Sequence, residues 1–281
     1  MTTTAETPRA AGPACNEQGH YPLTEDQKQF FRREGFIKLK DVLPSEMLTY
    51  YGDEITRKVL EHTRHVEPLE KRGTYGKAFL QVCNLWMHSE IIRQFSFNRR
   101  LGRIAAELMG CSGVRMYHDQ ALYKEPGGGI TPWHADQYYW PLSTNNTVTA
   151  WVPLQATPME LGPLFFCAGS HTYESGRDLE ISDESEQTLS QALKDRGRMV
   201  EEPFDLGEVS FHYGWTFHRA GPNTSDRPRK VMTVIYVDEN AVVAQPKNKA
   251  QESDLKVWFP GLKPGDPVSS PLNPVVWSSR G

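Results

Sequence analysis

Disulfide chemistry is the first thing this sequence lacks. Its 281 residues hold four scattered cysteines, Cys15, Cys83, Cys111 and Cys167, and no CxxC pair. That excludes a disulfide-stapled framework and fits free thiols in a reducing compartment. A charge excess is also missing: 31 Lys and Arg stand against 35 Asp and Glu, for a formal net charge of -4. Near balance gives no electrostatic case for a nucleic-acid partner. No apolar run approaches the roughly 20 residues of a membrane span. Met1 to Gly19 is rich in Thr, Ala and Pro and has no apolar signal-peptide core, so residues 1–20 read as a disordered tail. Internal repeats are absent. A chain of this length with 38% hydrophobic residues can bury an ordinary core without a staple. The expectation is a cytoplasmic protein with a single domain over residues 21–281, no nucleic-acid partner and no membrane; the sequence does not set its oligomeric state.

What is present falls into two textures. Thr24-Glu25-Asp26-Gln27 is a capping box, and its helix should run to Arg33 and stop at Gly35. Phe36 to Leu39 alternates as a short strand. Pro44-Ser45 opens a longer helix through Met47, Leu48, Tyr51, Ile55 and Val59, and a further helix spans Arg99 to Met109. Residues 24–110 are therefore expected to be largely helical. After Gly113 strands take over: Val114–Lys124, Thr147–Leu154, Leu164–Phe166, Val200–Phe204, Val209–Tyr213 and Val231–Val237. Short strands at close spacing after a helical run point to a barrel or double sheet over residues 113–238, buttressed by helices. Ser182 to Arg198 is highly charged and reads as a solvated helix or a mobile insertion. From Asn240 to Gly281 prolines punctuate a tail that still carries Trp258, Phe259 and Trp277. Those rings predict that the tail docks, along an irregular, non-helical path.

Chemistry concentrates in Trp133-His134-Ala135-Asp136. On a strand, residues i and i+2 share a face, so His134 and Asp136 can converge. A second imidazole from a distant strand end would complete the two-His, one-carboxylate arrangement that holds Fe(II) and leaves positions open. His218, just before the turn Gly221-Pro222-Asn223, is the histidine in such a place. His20, His62, His65 and His88 lie in helical or terminal context, His171 lies in a turn, and His118 and His212 sit inside strands as candidates to support the centre. Arg229 opens an apolar strand. A guanidinium directed into a barrel is costly without an anion, and its fork matches a carboxylate. A metal triad with an inward arginine suits an oxidase that uses a dicarboxylic 2-oxo acid. Arg219 and Arg227 fit a surface role better.

The stretches Thr131 to Trp140, Leu161-Gly162-Pro163-Leu164 with Gly169-Ser170-His171, and His218 to Arg229 together resemble the phytanoyl-CoA dioxygenase family of Fe(II)- and 2-oxoglutarate-dependent oxygenases. The resemblance spans roughly Leu23 to Val237. It implies a mainly β protein with a double-stranded β-helix (jelly-roll, cupin-like) core and a helical N-terminal part. It also implies that His134, Asp136 and His218 ligate Fe(II) and that Arg229 binds the far carboxylate of 2-oxoglutarate. Gln120 and Trp151 match positions that line this cosubstrate, as does Gln81 by a looser match. Ala220 departs from relatives that carry a serine there, which removes one hydroxyl donor. The implied reaction consumes O2 and 2-oxoglutarate, releases succinate and CO2, and hydroxylates or desaturates an aliphatic carbon of a small molecule. Relatives that halogenate replace the carboxylate ligand with a small residue, and Asp136 argues against that outcome.

Tyr138, Tyr139, Trp140, Trp215 and Phe217 flank the ligands and are expected to wall the substrate pocket; Lys124 and Arg115 are weaker candidates for binding an anionic substrate. The substrate itself is not written in the sequence. The alternative is a catalytically silent metal-binding jelly-roll that senses or binds. The complete set His134, Asp136, His218 and Arg229 favours an enzyme. A zinc hydrolase would use three ligands too, but it gives Arg229 no role.

Overall fold

A computed structural model describes residues 19–280; the tail expected over residues 1–20 lies almost wholly outside the described residues. Thr24 accepts from the Gln27 amide while its own amide donates to the Gln27 side chain, so helix α1 (Glu25–Glu34) starts with both groups satisfied. Gly35, at φ 82°, ends it in the left-handed region. Strand β1 (Phe36–Leu39), α2 (Ser45–Thr63), α3 (Thr74–Ala78), β2 (Leu80–Cys83), α4 (Glu90–Ser96) and α5 (Arg99–Met109) complete the helical part. Then come β3 (Gly113–Lys124), β4 (Thr131–His134), β5 (Thr147–Pro153), β6 (Leu164–Cys167), α6 (Asp183–Leu193), β7 (Met199–Glu201), β8 (Val209–Tyr213), β9 (His218–Ala220) and β10 (Arg229–Asp238). Helix α7 (Lys249–Trp258) and β11 (Val275–Ser278) follow.

The strands form two antiparallel sheets. The larger runs β1-β8-β5-β10-β3, with β2 and β11 both paired to β3; the smaller runs β4-β9-β6-β7. The alternation of strand side chains divides the protein. Val148, Ala150 and Val152 of β5, with Met232, Val234 and Tyr236 of β10, pack in one buried cluster with Tyr51 and Ile55 of α2, Phe95 of α4 and Ile104 of α5. Their neighbours Thr149, Trp151, Thr233 and Ile235 face the space between the sheets. Helices cover one face of the large sheet, and the small sheet closes over the other.

Two stretches differ from the expectation. The Pro-rich tail is not irregular throughout: residues 249–258 form α7, capped by Asn248, whose side chain accepts from the Gln251 amide. Periodicity gave little sign of it because Gln251 is its one buried residue, so the helix is held by a cap and by packing at its end. Phe259 just beyond is fully buried against Tyr117, and β11 extends the large sheet. Residues 183–193 form a helix, as one of the two readings expected, but it is not solvated all round. Ser182 caps α6, and Leu189 and Leu193 are buried behind the small sheet.

Candidate active site

The small sheet brings the two histidines together. β4 and β9 pair with Thr131 opposite Ala220 and His134 opposite His218, with a bulge between. Trp133 and Ala135 face away, into an apolar cluster with Leu189, Leu193 and Phe217; His134 therefore faces the cavity. Asp136 does not continue the strand as the i, i+2 argument assumed. β4 ends at His134, and Asp136 begins a 3-10 turn to Tyr139. The turn still brings its Oδ1 to 3.5 Å from His134 Nε2 and 3.6 Å from His218 Nε2.

Backbone carbonyls orient both rings. His134 Nδ1 lies 2.8 Å from the Pro132 carbonyl and His218 Nδ1 2.9 Å from that of Thr216, so each Nδ1 donates and each Nε2 is left as a lone-pair donor to a metal. The carboxylate is held from its other side: Thr149 donates to Oδ2 at 2.9 Å, and His212 Nε2 lies 3.4 Å from the same oxygen. Burial would raise the Asp136 carboxyl, but His218, His134 and His212 outweigh it, and the group stays ionised. Burial, and then the neighbouring His134, hold His218 well below the usual imidazole range. Two imidazoles and one carboxylate, with ligand atoms within 4.8 Å of one another, are a donor set suited to Fe(II).

These groups open on a cavity of about 500 Å³. Arg229 lines it and is 1% exposed. One Nη donates to the Gly162 carbonyl at 2.6 Å, the guanidinium lies 5.5 Å from the Trp151 ring centroid, and Nε has no partner. A side chain at Gly162 could not replace the glycine, since its Cβ would sit 2.3 Å from the Gly221 carbonyl. No ion pair engages Arg229 among the described residues, and burial pushes its pKa down to about 9. A buried, unpaired guanidinium fits a carboxylate brought in by a ligand. Lys124, its register partner on β3, is buried too, donates to Gly129 O and lies 3.4 Å from Thr131 Oγ1. Burial and Arg229 push Lys124 down to about 6.

Of the residues expected here, His134, Asp136, His218, Arg229, Gln120, Trp151 and Gln81 all line the cavity, as do Tyr139 and Trp140. Gln81 receives the Tyr75 hydroxyl at 2.8 Å and donates to Gln120, which orders that wall. Tyr138, Trp215 and Phe217 do not line it. Phe217 is fully buried on the reverse of β9, the face opposite His218. Trp215 lies under Arg177 and donates to Asn145, and Tyr138 packs edge-on against Tyr139 outside the cavity. Arg115 binds the carbonyls of Glu239 and Asn273. Arg219 is no loose surface group: it pairs with Glu186 of α6, which also accepts from the Trp133 amide. Sequence reasoning missed Thr149, Thr131 and Asp254. Thr149 was within reach, since it shares a strand face with Trp151; Asp254 was not, because its helix was unforeseen.

Two sheets enclosing a two-His, one-carboxylate centre with an inward arginine define a jelly-roll oxygenase of the Fe(II) and 2-oxoglutarate class. The family described as phytanoyl-CoA dioxygenase (PhyH) matches residues 31–231, and the chain belongs to it. A probable alpha-ketoglutarate-dependent hypophosphite dioxygenase of Stutzerimonas stutzeri is 22% identical over 241 residues, covering 78% of this chain and 80% of that one. Among solved structures, the alpha ketoglutarate dependent carbocyclase SnoK from nogalamycin biosynthesis is 26% identical, with TM-score 0.74 over 92% of this chain and 100% of that chain. The epimerase SnoN, in complex with Fe3+, alpha ketoglutarate and nogalamycin RO, is 25% identical, with TM-score 0.72 over 90% and 98%.

Proposed function

We propose that this protein is an Fe(II)- and 2-oxoglutarate-dependent oxygenase that oxidises an aliphatic carbon of a small molecule, by hydroxylation or desaturation. One observation carries it: three metal-ligand atoms converge at a cavity whose wall holds a buried arginine with no counter-charge. His134, Asp136 and His218 would hold the iron. Arg229 would take the far carboxylate of 2-oxoglutarate, with Gln120, Trp151 and Gln81 beside it. When bound, iron with 2-oxoglutarate and O2 supplies the oxidation of an unactivated C–H bond, with succinate and CO2 as coproducts.

The chain's own residues set the conditions for that chemistry. Pro132 and Thr216 carbonyls fix the ligand tautomers, and Thr149 fixes the carboxylate. Trp151, 2% exposed, and the buried Trp140 exclude water from the cavity wall. Thr131 supports a further role. It faces Ala220 across the β4–β9 pair and lines the cavity, so its hydroxyl replaces the donor that Ala220 lacks. With Lys124 turned toward Thr131 Oγ1 as a donor, the threonine O–H would be free to donate to a bound cosubstrate. Among the described residues no helix is long and apolar enough to cross a membrane. The described cysteines are free thiols, which supports the cytoplasm as its compartment. The deciding experiment is succinate release from 2-oxoglutarate by the Fe(II)-loaded protein under air. No succinate above a metal-free control, with or without candidate substrates, would sink the reading.

A further inference from the structure

The cavity is polarised along its length. Arg229, Thr233 and Ile235 line it from β10, and Thr233 and Ile235 stand opposite Gln120 and His118 of β3. At about 3.3 Å per residue, the Arg229 end and the His118 end are roughly 20 Å apart along the strand. Helix α7 closes the His118 end. Trp258 packs its ring 4.7 Å from that of His118, and Asp254, one turn earlier, accepts from the Tyr117 hydroxyl at 2.7 Å. Asp254 and Trp258 both line the cavity, and so does Glu180.

This end holds a carboxylate, Asp254, and no lysine or arginine among the described lining residues. Arg229 is the only Lys or Arg among the described lining residues, and it lies at the opposite end. His118 adds no positive charge, because burial pushes it down to about 4. Asp254 forms no ion pair among the described residues, and burial pushes its carboxyl up to about 7. The hydroxyl and indole donors beside it satisfy hydrogen bonds but supply no full counter-charge. The rings of Tyr75, Tyr139, Trp140 and Trp258 line the cavity as well, and aromatic faces favour cations.

From this we infer that the α7 end of the cavity seats a cationic nitrogen: the substrate is a small molecule bearing a protonated amine, which Asp254 holds while an aliphatic carbon of the same molecule faces His134, Asp136 and His218. The inference rests on the oxygenase reading for the oxidation but not for the binding. A carboxylate or phosphonate substrate would enter an end lined by Asp254 with no cation to receive it, at a cost that like charges in a desolvated site impose. An ammonium supplies the missing counter-charge and keeps Asp254 ionised.

The test is a matched series on the full-length protein loaded with Fe(II) and 2-oxoglutarate without O2: cyclohexylmethylamine, cyclohexylmethanol and cyclohexanecarboxylate. Binding is read by tryptophan fluorescence. The amine should bind about tenfold or more tightly than the alcohol, as a charge-assisted bond replaces a neutral one, and the carboxylate should bind most weakly. Asp254→Asn, which can still accept from Tyr117, should bring the amine to the affinity of the alcohol and leave the 2-oxoglutarate affinity unchanged. An amine that binds no better than the carboxylate, including failure of all three to bind, overturns the inference; so does a folded Asp254→Asn protein that keeps the preference. The wild-type series needs no variant to fold. Repeating it with metal alone separates the two readings: loss of 2-oxoglutarate binding with the amine preference intact would sink only the oxygenase reading.

Discussion

Arg229 is the sharpest test of the cosubstrate site, because its removal should move two stabilities in opposite directions. In the protein without ligand this guanidinium is buried, keeps Nε without a partner and forms no ion pair among the described residues, and burial pushes its pKa down to about 9. The sign follows: a base whose folded-state pKa is depressed below its unfolded value destabilises the fold while it carries its proton, which at neutral pH it does. Arg229→Met, similar in length and apolar, should therefore leave the unfolding temperature of the ligand-free protein unchanged or raise it. The reverse holds with 2-oxoglutarate. Losing one partner of a buried charge pair costs about 2–5 kcal/mol, which weakens binding roughly thirtyfold to several thousandfold. At a hundred times its Kd, the cosubstrate should raise wild-type stability by about 2.7 kcal/mol, about 5 °C for a chain of this size. In the Met variant that rise should fall to about a third or less at the same concentration, while Arg229→Lys should keep more of it than Met, since an ammonium pairs with the carboxylate but cannot form the fork. Thermal unfolding of metal-loaded protein, with and without 2-oxoglutarate, reads both effects. A Met variant that retains the full rise would show that the carboxylate is seated elsewhere.

Four further outcomes are expected. His134→Ala or His218→Ala should abolish stoichiometric iron and succinate release together; a variant that keeps both would remove the metal assignment. Thr149→Val takes away the hydroxyl donor to Asp136 Oδ2; metal affinity should fall about 10- to 100-fold, with little change in 2-oxoglutarate affinity at saturating metal, as competition with a chelator would show. Thr131→Val should weaken 2-oxoglutarate about ten- to hundredfold, a hydrogen bond to a charged group being worth about 1.5–3 kcal/mol, and Ala220→Ser in the same protein should restore it from across the strand pair; equal affinity in all three proteins would leave Thr131 a structural residue only. Ending the chain after Gln251 exposes the pocket of the buried Phe259 and unpairs β11 from β3. That should cost several kcal/mol, since one buried aromatic alone contributes about 1.5–3, and an unchanged melting temperature would show the tail to be dispensable.

Much of the site was readable because its signals are local. Thr24 and Gln27 mark the start of α1 within four residues, and the alternation in β5 separates Val148, Ala150 and Val152 from Thr149 and Trp151 before any partner strand is known. Carboxylate and imidazole two residues apart, with a second imidazole at a far strand end and an arginine opening the next strand, specify a metal and anion chemistry by residue type alone. Local pattern fails where a contact depends on which face a residue presents to a distant element. Adjacent in sequence, His218 and Phe217 point to opposite sides of β9, so proximity to a ligand was no guide to the pocket wall. Tyr138 and Trp215 left the cavity for a similar reason, one outside a 3-10 turn and one under Arg177. Residue chemistry and short-range periodicity in the sequence determined a helical run followed by a barrel or double sheet and marked His134, Asp136, His218 and Arg229 as candidates for a metal and an anion, while the jelly-roll class came from the family resemblance. Only the tertiary structure decided that Thr131 stands across from Ala220 and that α7 closes the cavity with Asp254, because strand register and helix docking are set by packing between segments far apart in the chain.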